Sequence, residues 1–425
     1  MSAGQYAYEY ADRSRLTGTT ASGVLSNNMF RAADSAIERN LAPGSLPASW
    51  AEDLLQIARA VYLADKLSRR DACRDRWTRT IALSVQLVEP DRWRDHTEPI
   101  LVAMLETLTS DRWDVRFRGG ATSHRGVQGD LVLPPAQEVT LFSGGLDSTA
   151  YAAERSRLPG GPLLLLSYCH SRWRHQQEEI SAGLRPVRDL RHLQVLEQTN
   201  LGGRKAEPTS RSRGLLYLAT AIYVASSHNV AQVTIPENGQ LAVNPPLTAA
   251  RVAAASTRSV HPYFLHLINK LIGAVGGTVT VVNPLLPATK GEVCRRARDA
   301  GLTLATIMRT VSCGRPPWLY GGGDLDHCGR CYPCLLRRSG LLTGVGRDDT
   351  PYKADVLAPG VKRGQRADLL ALRTWLANDF GIRDLAVDLP LPPQADAHAL
   401  LETILRGRDE LRHLIAQHGR PGTAA

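Results

Sequence analysis

Two spacings of hydrophobic residues organise the chain. Over residues 80–88 (TIALSVQLV), Ile81, Leu83, Val85 and Leu87 fall on every second position, as in a strand buried on one face. Trp113, Val115 and Phe117 repeat that alternation. Leu54, Ile57, Ala58, Val61 and Ala64 instead recur at helical spacing, and Ser49 with Glu52 predicts a capping box at the start of that helix. A further helix is predicted over roughly 98–108. These elements make a mixed α/β unit, and the glycine-rich polar segment 118–130 (RGGATSHRGVQGD) reads as a linker.

After Leu133 the pattern changes to short apolar runs separated by helical stretches. Strands are predicted at 139–142, 162–168, 193–197, 231–235 and 278–282, and the clearest helices at 215–227 and 263–275. Such alternation predicts a parallel sheet with helices on both faces and ligands at the carboxyl ends of its strands. Two more helical stretches, near 367–378 and 397–418, follow a polar boundary. The expected organisation is an accessory mixed α/β domain over 1–135, an α/β core domain over 136–345, and a helical extension over 346–425 for packing or partner binding.

Composition narrows the class. Hydrophobic residues at 43% and charged residues at 22% are ordinary for a globular protein, and no apolar run is long enough to span a bilayer. The opening MSAGQYAYEYADRSR lacks the basic and apolar regions of a secretory signal, so a cytoplasmic location is the expectation. A net charge of +10 permits contact with nucleic acid or an acidic protein without favouring nucleic acid. A solvated basic surface with a site for an anionic nucleotide explains it equally. The basic excess between Arg172 and Arg213 is read as partly phosphate-facing.

Candidate chemistry begins at VTLFSGGLDSTAYAAE, residues 139–154, where a strand runs through Ser143-Gly144-Gly145-Leu146-Asp147-Ser148 into a helix. Adjacent glycines allow a sharp turn and close approach to a ligand, and a helix N-terminus suits an anion. A Walker A loop would need a terminal Lys-Ser or Lys-Thr, and a dinucleotide fingerprint a third glycine; neither is present. Cys313, Cys328, Cys331 and Cys334 form a second cluster, three of them in C-x₂-C-x₂-C spacing. Four thiolates suit tetrahedral zinc with no position left open for water, hence a structural site; an iron–sulfur cluster is the competitor. Cys73, Cys169 and Cys294 read as small buried residues.

The 143–148 string resembles the pyrophosphate loop (PP-loop) of the N-type ATP pyrophosphatases, the adenine nucleotide alpha-hydrolase-like fold. With the cysteine segment, it makes residues 139–338 similar to the QueC, or 7-cyano-7-deazaguanine synthase, family. Arg174, His175 and Glu178 match that family's Arg-His-x-x-Glu segment, and 208–213 its Pro and Arg before a long helix. Thr289, Lys290 and Glu292 match its Thr-Lys-x-Glu helix start, and Thr310, Ser312, Cys313, the 327–334 segment and Arg337 its zinc segment.

The resemblance implies that Ser143, Gly144, Gly145, Leu146, Asp147 and Ser148 bind ATP, with Asp147 placing Mg²⁺. It further makes Asp147, Ser148, Lys290 and Arg174 catalytic candidates, adds Arg213 and Glu237 to the nucleotide pocket, and assigns the four cysteines to Zn²⁺. Residue by residue, plainer readings stay open: His175 and His327 as ordinary histidines, Lys290 and Arg337 as helix-surface residues, Glu237-Asn238-Gly239 as a simple turn.

The implied reaction is adenylation of a carboxylate, that of 7-carboxy-7-deazaguanine, with release of pyrophosphate and transfer of the acyl group to ammonia or to an amine of a partner protein. The family's Tyr-Pro-Asp-Cys-Arg type segment is missing from 237–264, so the acceptor is expected to differ. The added ends resemble QatC, the QueC-like component of a bacterial anti-phage defence system, which implies an acceptor protein from that system. A tRNA-modifying PP-loop enzyme and a catalytically retired nucleotide-binding scaffold are the alternatives.

Overall fold

The computed structural model describes residues 4–11, 23–42, 45–123, 134–197, 201, 205–209, 211–252, 258–316 and 326–419. Most of the expected linker, from residue 124 onward, lies outside them. Among the described residues no helix is long and apolar enough to cross a membrane.

Among the described residues, nine strands form two sheets. β1 (Gln5–Ala11), β2 (Gly23–Ser26), β3 (Thr80–Gln86) and β4 (Arg112–Arg118) build a four-stranded sheet in the order β2-β1-β3-β4. β5 (Glu138–Leu141), β6 (Leu163–Cys169), β7 (Leu190–Leu196), β8 (Gln232–Thr234) and β9 (Thr280–Val282) build a five-stranded sheet in the order β7-β6-β5-β8-β9. Every pairing in both sheets is parallel. The fold is thus α/β with parallel sheets, as the hydrophobic spacing predicts.

The interior strand β6 shows why the large sheet is covered on both faces. All seven of its residues are buried. Leu163 and Leu165 point into one core with Phe142, Leu146, Ile180 and Val293. Leu164, Leu166 and Tyr168 point into another, which runs without a break into the four-stranded sheet through Leu215, Ile222, Val61, Leu83 and Val115. The elements before residue 135 therefore have a sheet of their own but not a core of their own. A third core joins Tyr332, Leu335 and Leu336 to Leu372, Trp375, Ile404, Leu411 and Leu414 of the C-terminal helices.

The helix Ser49–Leu67 departs from the expected one-sided pattern: every residue from Trp50 to Asp65 is buried. It lies between the four-stranded sheet and the helix Arg213–Ser227. Its charged residues survive burial by finding partners. Asp53 accepts from the amides of Val88 (2.7 Å) and Glu89 (2.9 Å), and Arg59 donates to Asn27 Oδ1 and Asp34 Oδ1, both at 2.6 Å. The expected capping box does not form. Ala48 is the N-cap, and Ser49 donates its hydroxyl to Glu89 Oε2 at 2.6 Å instead.

In the large sheet, chain order reverses between β5 and β8, and the crevice at the carboxyl ends of those two strands is where a ligand fits in such sheets. The glycine loop follows β5, and Glu237 follows β8.

Candidate active site

The loop after β5 turns at Gly144, whose φ of +73° is a left-handed conformation that a side chain strains. A Cβ there would also meet Gln177 Cγ at 3.0 Å. Gly145 caps the helix Leu146–Ser156, and a Cβ on it would press on Val311 O at 3.1 Å. The turn is tied from both sides: Gln177 donates to Ser143 O (2.9 Å) and the Val311 amide to Gly144 O (3.1 Å). Within the loop, the Ser143 amide donates to Ser148 Oγ (3.3 Å), and Ser148 Oγ to Gly145 O (3.1 Å). Two serine hydroxyls and a helix N-terminus thus face one crevice, an arrangement suited to phosphate oxygens.

Asp147, in the first turn of that helix, is buried against Lys290. The Lys290 Nζ–Asp147 Oδ1 distance is 2.6 Å, with side-chain exposures of 2% and 6%. Asn238 donates to the other oxygen from its side chain (2.7 Å) and its amide (3.1 Å). Burial pulls the Asp147 carboxyl upward, but the Lys290 charge and these hydrogen bonds outweigh it and hold Asp147 ionised well below the usual range. Glu237, beside it, moves the other way: burial and the Asp147 charge push its carboxyl well above the usual value. The two carboxyl groups are thus driven apart, Asp147 toward the ionised form and Glu237 toward the protonated one.

Each member is placed by its own element. Lys290 opens the helix Lys290–Asp299, whose N-cap Thr289 and Glu292 make a capping box, so the Thr-Lys-x-Glu string is a helix start. Asn238 caps the short helix Gly239–Val243. Asn283 braces the two loops by accepting from the Glu237 amide (3.1 Å) and donating to its carbonyl (2.8 Å).

A cavity of about 770 Å³ opens over this cluster. Ser143, Gly145, Leu146, Asp147, Ser148, Arg213, Glu237 and Lys290 line it together. Gly144 shapes the loop without lining the cavity. Tyr168 and Tyr217 lie stacked on the wall, with ring centres 4.3 Å apart and planes at 14°, a flat surface for a ring. Arg174 does not reach the lining; it stands on the exposed face of the helix Ser171–Ala182, 3.3 Å from Glu178. His175 is exposed beside Glu178 and Glu179. Of the basic 172–213 stretch, Arg188 and Arg191 pair with Glu138 and Asp189, whereas Arg211 and Arg213 face the cavity.

The wall carrying Arg211 and Arg213 is moored to the N-terminal elements. Asp65 accepts from Ser212 Oγ (2.6 Å) and the Ser212 amide (3.0 Å) while pairing with buried Arg79. Arg211 donates to Thr109 O (3.0 Å), and its guanidinium lies 4.5 Å from the Trp77 ring centre. Nothing in the local sequence marks Asp65 as a neighbour of Ser212.

The four cysteine sulfurs lie within 4.8 Å of one another. Cys313 Sγ to Cys331 Sγ is 3.8 Å, and Cys328 Sγ to Cys334 Sγ is 3.9 Å. A tetrahedron of Zn–S bonds near 2.3 Å has edges of about 3.8 Å, so the donor set fits zinc. Amides of Arg315 and Cys328 donate to Cys313 Sγ (3.3 Å each), as is usual around thiolates. Gly329, at φ +73°, turns the knuckle where a Cβ would overlap Ala354 O. Cys313 and Cys331 also line the cavity, so the knuckle is part of its wall.

Arg337 neither clamps a ligand nor meets solvent. Fully buried, it donates to Thr310 Oγ1 (2.8 Å), Thr350 Oγ1 (3.1 Å) and Ile307 O (3.1 Å). It fixes the segment that carries Val311 onto the glycine loop. His327 is buried and accepts from the Ser312 amide at 3.3 Å.

The sequence model of the family described as "Queuosine biosynthesis protein QueC" matches residues 259–344 of the chain. Among individual proteins, the chain is similar to 7-cyano-7-deazaguanine synthase of Pyrococcus horikoshii, with 34% identity over 90 residues, 21% of this chain and 36% of that one. It thus spans little more than a third of that relative's length. The synthase of Pyrococcus furiosus is 24% identical over 245 residues, covering 50% of this chain and 95% of the relative. That of Desulfitobacterium hafniense is 25% identical over 238 residues, covering 50% and 92%.

Proposed function

We propose that this protein is an ATP-dependent ligase, forming AMP and pyrophosphate, that activates the carboxylate of 7-carboxy-7-deazaguanine and transfers the acyl group to an amine. The observation that carries the reading is the buried Lys290–Asp147 pair at the head of the glycine-loop helix, opening on a cavity large enough for a nucleotide and a flat heterocycle together.

In this reading Ser143, Ser148 and the amides of the 143–148 loop hold the β- and γ-phosphates. Asp147, with Glu237 beside it, would hold Mg²⁺, which neutralises phosphate charge. A carboxylate oxygen attacks the α-phosphorus, the bond to the β-phosphate oxygen breaks, and pyrophosphate leaves with the electron pair. The mixed anhydride exchanges a poor oxide leaving group for AMP. An amine then attacks the acyl carbon, loses a proton, and AMP departs. Lys290 and Arg213 oppose charge that grows on the phosphates. Arg174, on the exposed helix, is assigned the outer edge of the phosphate path. Cys313, Cys328, Cys331 and Cys334 would hold a zinc ion that stiffens the wall without taking part in the chemistry.

The acceptor is ammonia or an amine of a partner protein from an anti-phage defence system. The changed 237–264 segment and the added N- and C-terminal elements favour the larger acceptor. Purified protein with Mg²⁺-ATP and 7-carboxy-7-deazaguanine should release AMP and pyrophosphate in equal amounts, and mass spectrometry of added partner proteins should find the acyl group. Absence of substrate-dependent AMP would remove the reading.

A further inference from the structure

The helix Ala397–Gly419 belongs to the extension that sequence alone reads as serving packing or partner binding. One face of it carries Thr403, Arg406, Gly407 and Glu410; Thr403, Arg406 and Glu410 meet the segment that delivers Lys290, and Gly407 meets Gln240. Thr403 Oγ1 donates to Pro287 O at 3.2 Å, and Arg406 to Pro287 O at 2.9 Å and Glu292 Oε1 at 2.8 Å. Glu410 Oε2 accepts from the Gly291 amide at 2.9 Å, and Oε1 accepts from the Thr289 hydroxyl. Thr289 is the N-cap of the Lys290 helix, and the Gly291 amide is one of its open first-turn donors. A carboxylate from a distant part of the chain thus closes the end of the helix from which Lys290 projects.

Two glycines show that the approach is built for contact. A Cβ on Gly291 would lie 2.5 Å from Glu410 Oε1. One on Gly407 would lie 2.1 Å from Gln240 Cδ, and Gln240 Oε1 in turn accepts from the Lys290 amide at 3.3 Å. Lys290 is therefore held at its backbone by Gln240 and at the neighbouring residues by Glu410, while its ammonium reaches Asp147.

We propose that the C-terminal helix is a working part of the active site, with Glu410 as the positioning residue that sets Lys290 against Asp147 and the phosphates. This rests on the ligase reading for its effect on rate, but not for its effect on Lys290 itself. Glu410→Ala leaves the Gly291 amide and Thr289 without their acceptor, whereas Glu410→Gln keeps an acceptor for the amide and a donor for the hydroxyl oxygen. Leu414→Ala removes a buried apolar contact of the same helix away from the clamp.

The test is competitive labelling of lysines with an amine-reactive reagent, read by mass spectrometry at Lys290, in the full-length protein and these three variants. Labelling is done well below each melting temperature. Glu410→Ala should label Lys290 severalfold faster than the parent, with Glu410→Gln and Leu414→Ala near the parent rate. In AMP formation, Glu410→Ala should lower kcat by roughly 10- to 100-fold with little change in KM for ATP, and Glu410→Gln should restore it. Unchanged Lys290 labelling in Glu410→Ala, or equal labelling in Leu414→Ala, overturns the proposal. If the parent protein itself forms no AMP, the ligase reading fails and the labelling still decides the clamp.

Discussion

Removing the two partners of the Lys290–Asp147 pair should have unequal consequences. In Lys290→Met, the Asp147 carboxylate keeps the Asn238 donors but loses its counter-ion in a site 6% exposed. Breaking a buried pair from one side costs about 3–5 kcal/mol. In Asp147→Asn, the orphaned ammonium has Glu237 at hand. Burial, the largest cause of Glu237's raised carboxyl, remains, but the Asp147 charge that adds to it is gone. The Lys290 charge still lowers it, so Glu237 should shift toward ionisation and take over as counter-ion. The cost should fall to about 1–2 kcal/mol, that of an imperfect hydrogen-bond exchange.

Glu237→Gln in the parent should be close to neutral, and adding it to Asp147→Asn should recover the larger cost. Thermal melting in magnesium-free buffer reads these differences. At about 2 °C per kcal/mol, Lys290→Met should lose roughly 6–10 °C and Asp147→Asn roughly 2–4 °C. Both should fail to form AMP. An Asp147→Asn loss as large as that of Lys290→Met, or additive behaviour of Asp147→Asn with Glu237→Gln, would refute the charge assignment.

Further outcomes test other parts of the site. Gly144→Ala forces a methyl into a left-handed turn 3.0 Å from Gln177 Cγ, so nucleotide affinity measured by calorimetry should collapse while melting falls by about 2–4 °C. Metal analysis should find one zinc per chain; Cys334→Ser should lower zinc content, melting temperature and AMP formation together, because Cys313 and Cys331 share the cavity wall. Burial pulls His261 down to about 4 from 6.5, and its Nδ1 accepts from the Tyr263 amide at 3.1 Å to cap a helix. The unfolded chain takes up that proton first, so this contribution is whole above pH 6.5. It shrinks as the pH falls toward 4, by about 3 kcal/mol. His261→Asn, which can cap without titrating, should flatten that part of a stability-against-pH curve.

What could be read in advance was what is local. The glycine loop, the Thr-Lys-x-Glu helix start and the cysteine segment are short contiguous strings whose backbone geometry is set within a few residues. Strand alternation in 80–88 and 112–118 was likewise legible, because one face meets a core and the other does not. Illegible features depend on residues far apart in sequence. Ser49 and Glu52 satisfy the capping-box spacing, yet Glu89 wins the hydroxyl. Arg174 sits at a helical position facing solvent, in a helix where only Gln177 and Ile180 are buried, so weak periodicity could not orient it. Asn238 carried a readable signal, a capping residue just past a central strand. Asp65 and Glu410 carried none.

The order in which the site's parts leave the ribosome follows from the clamp. Asp147 and Ser148 emerge early, but Glu410 is made about 260 residues later. At synthesis rates of roughly 5–20 residues per second, the glycine loop therefore waits on the order of 10–50 s before its lysine can be locked in place. A stalled or prematurely ended chain would carry the loop and the zinc knuckle without the lock. Such a product would fold much of its core and still leave Lys290 without the proposed clamp.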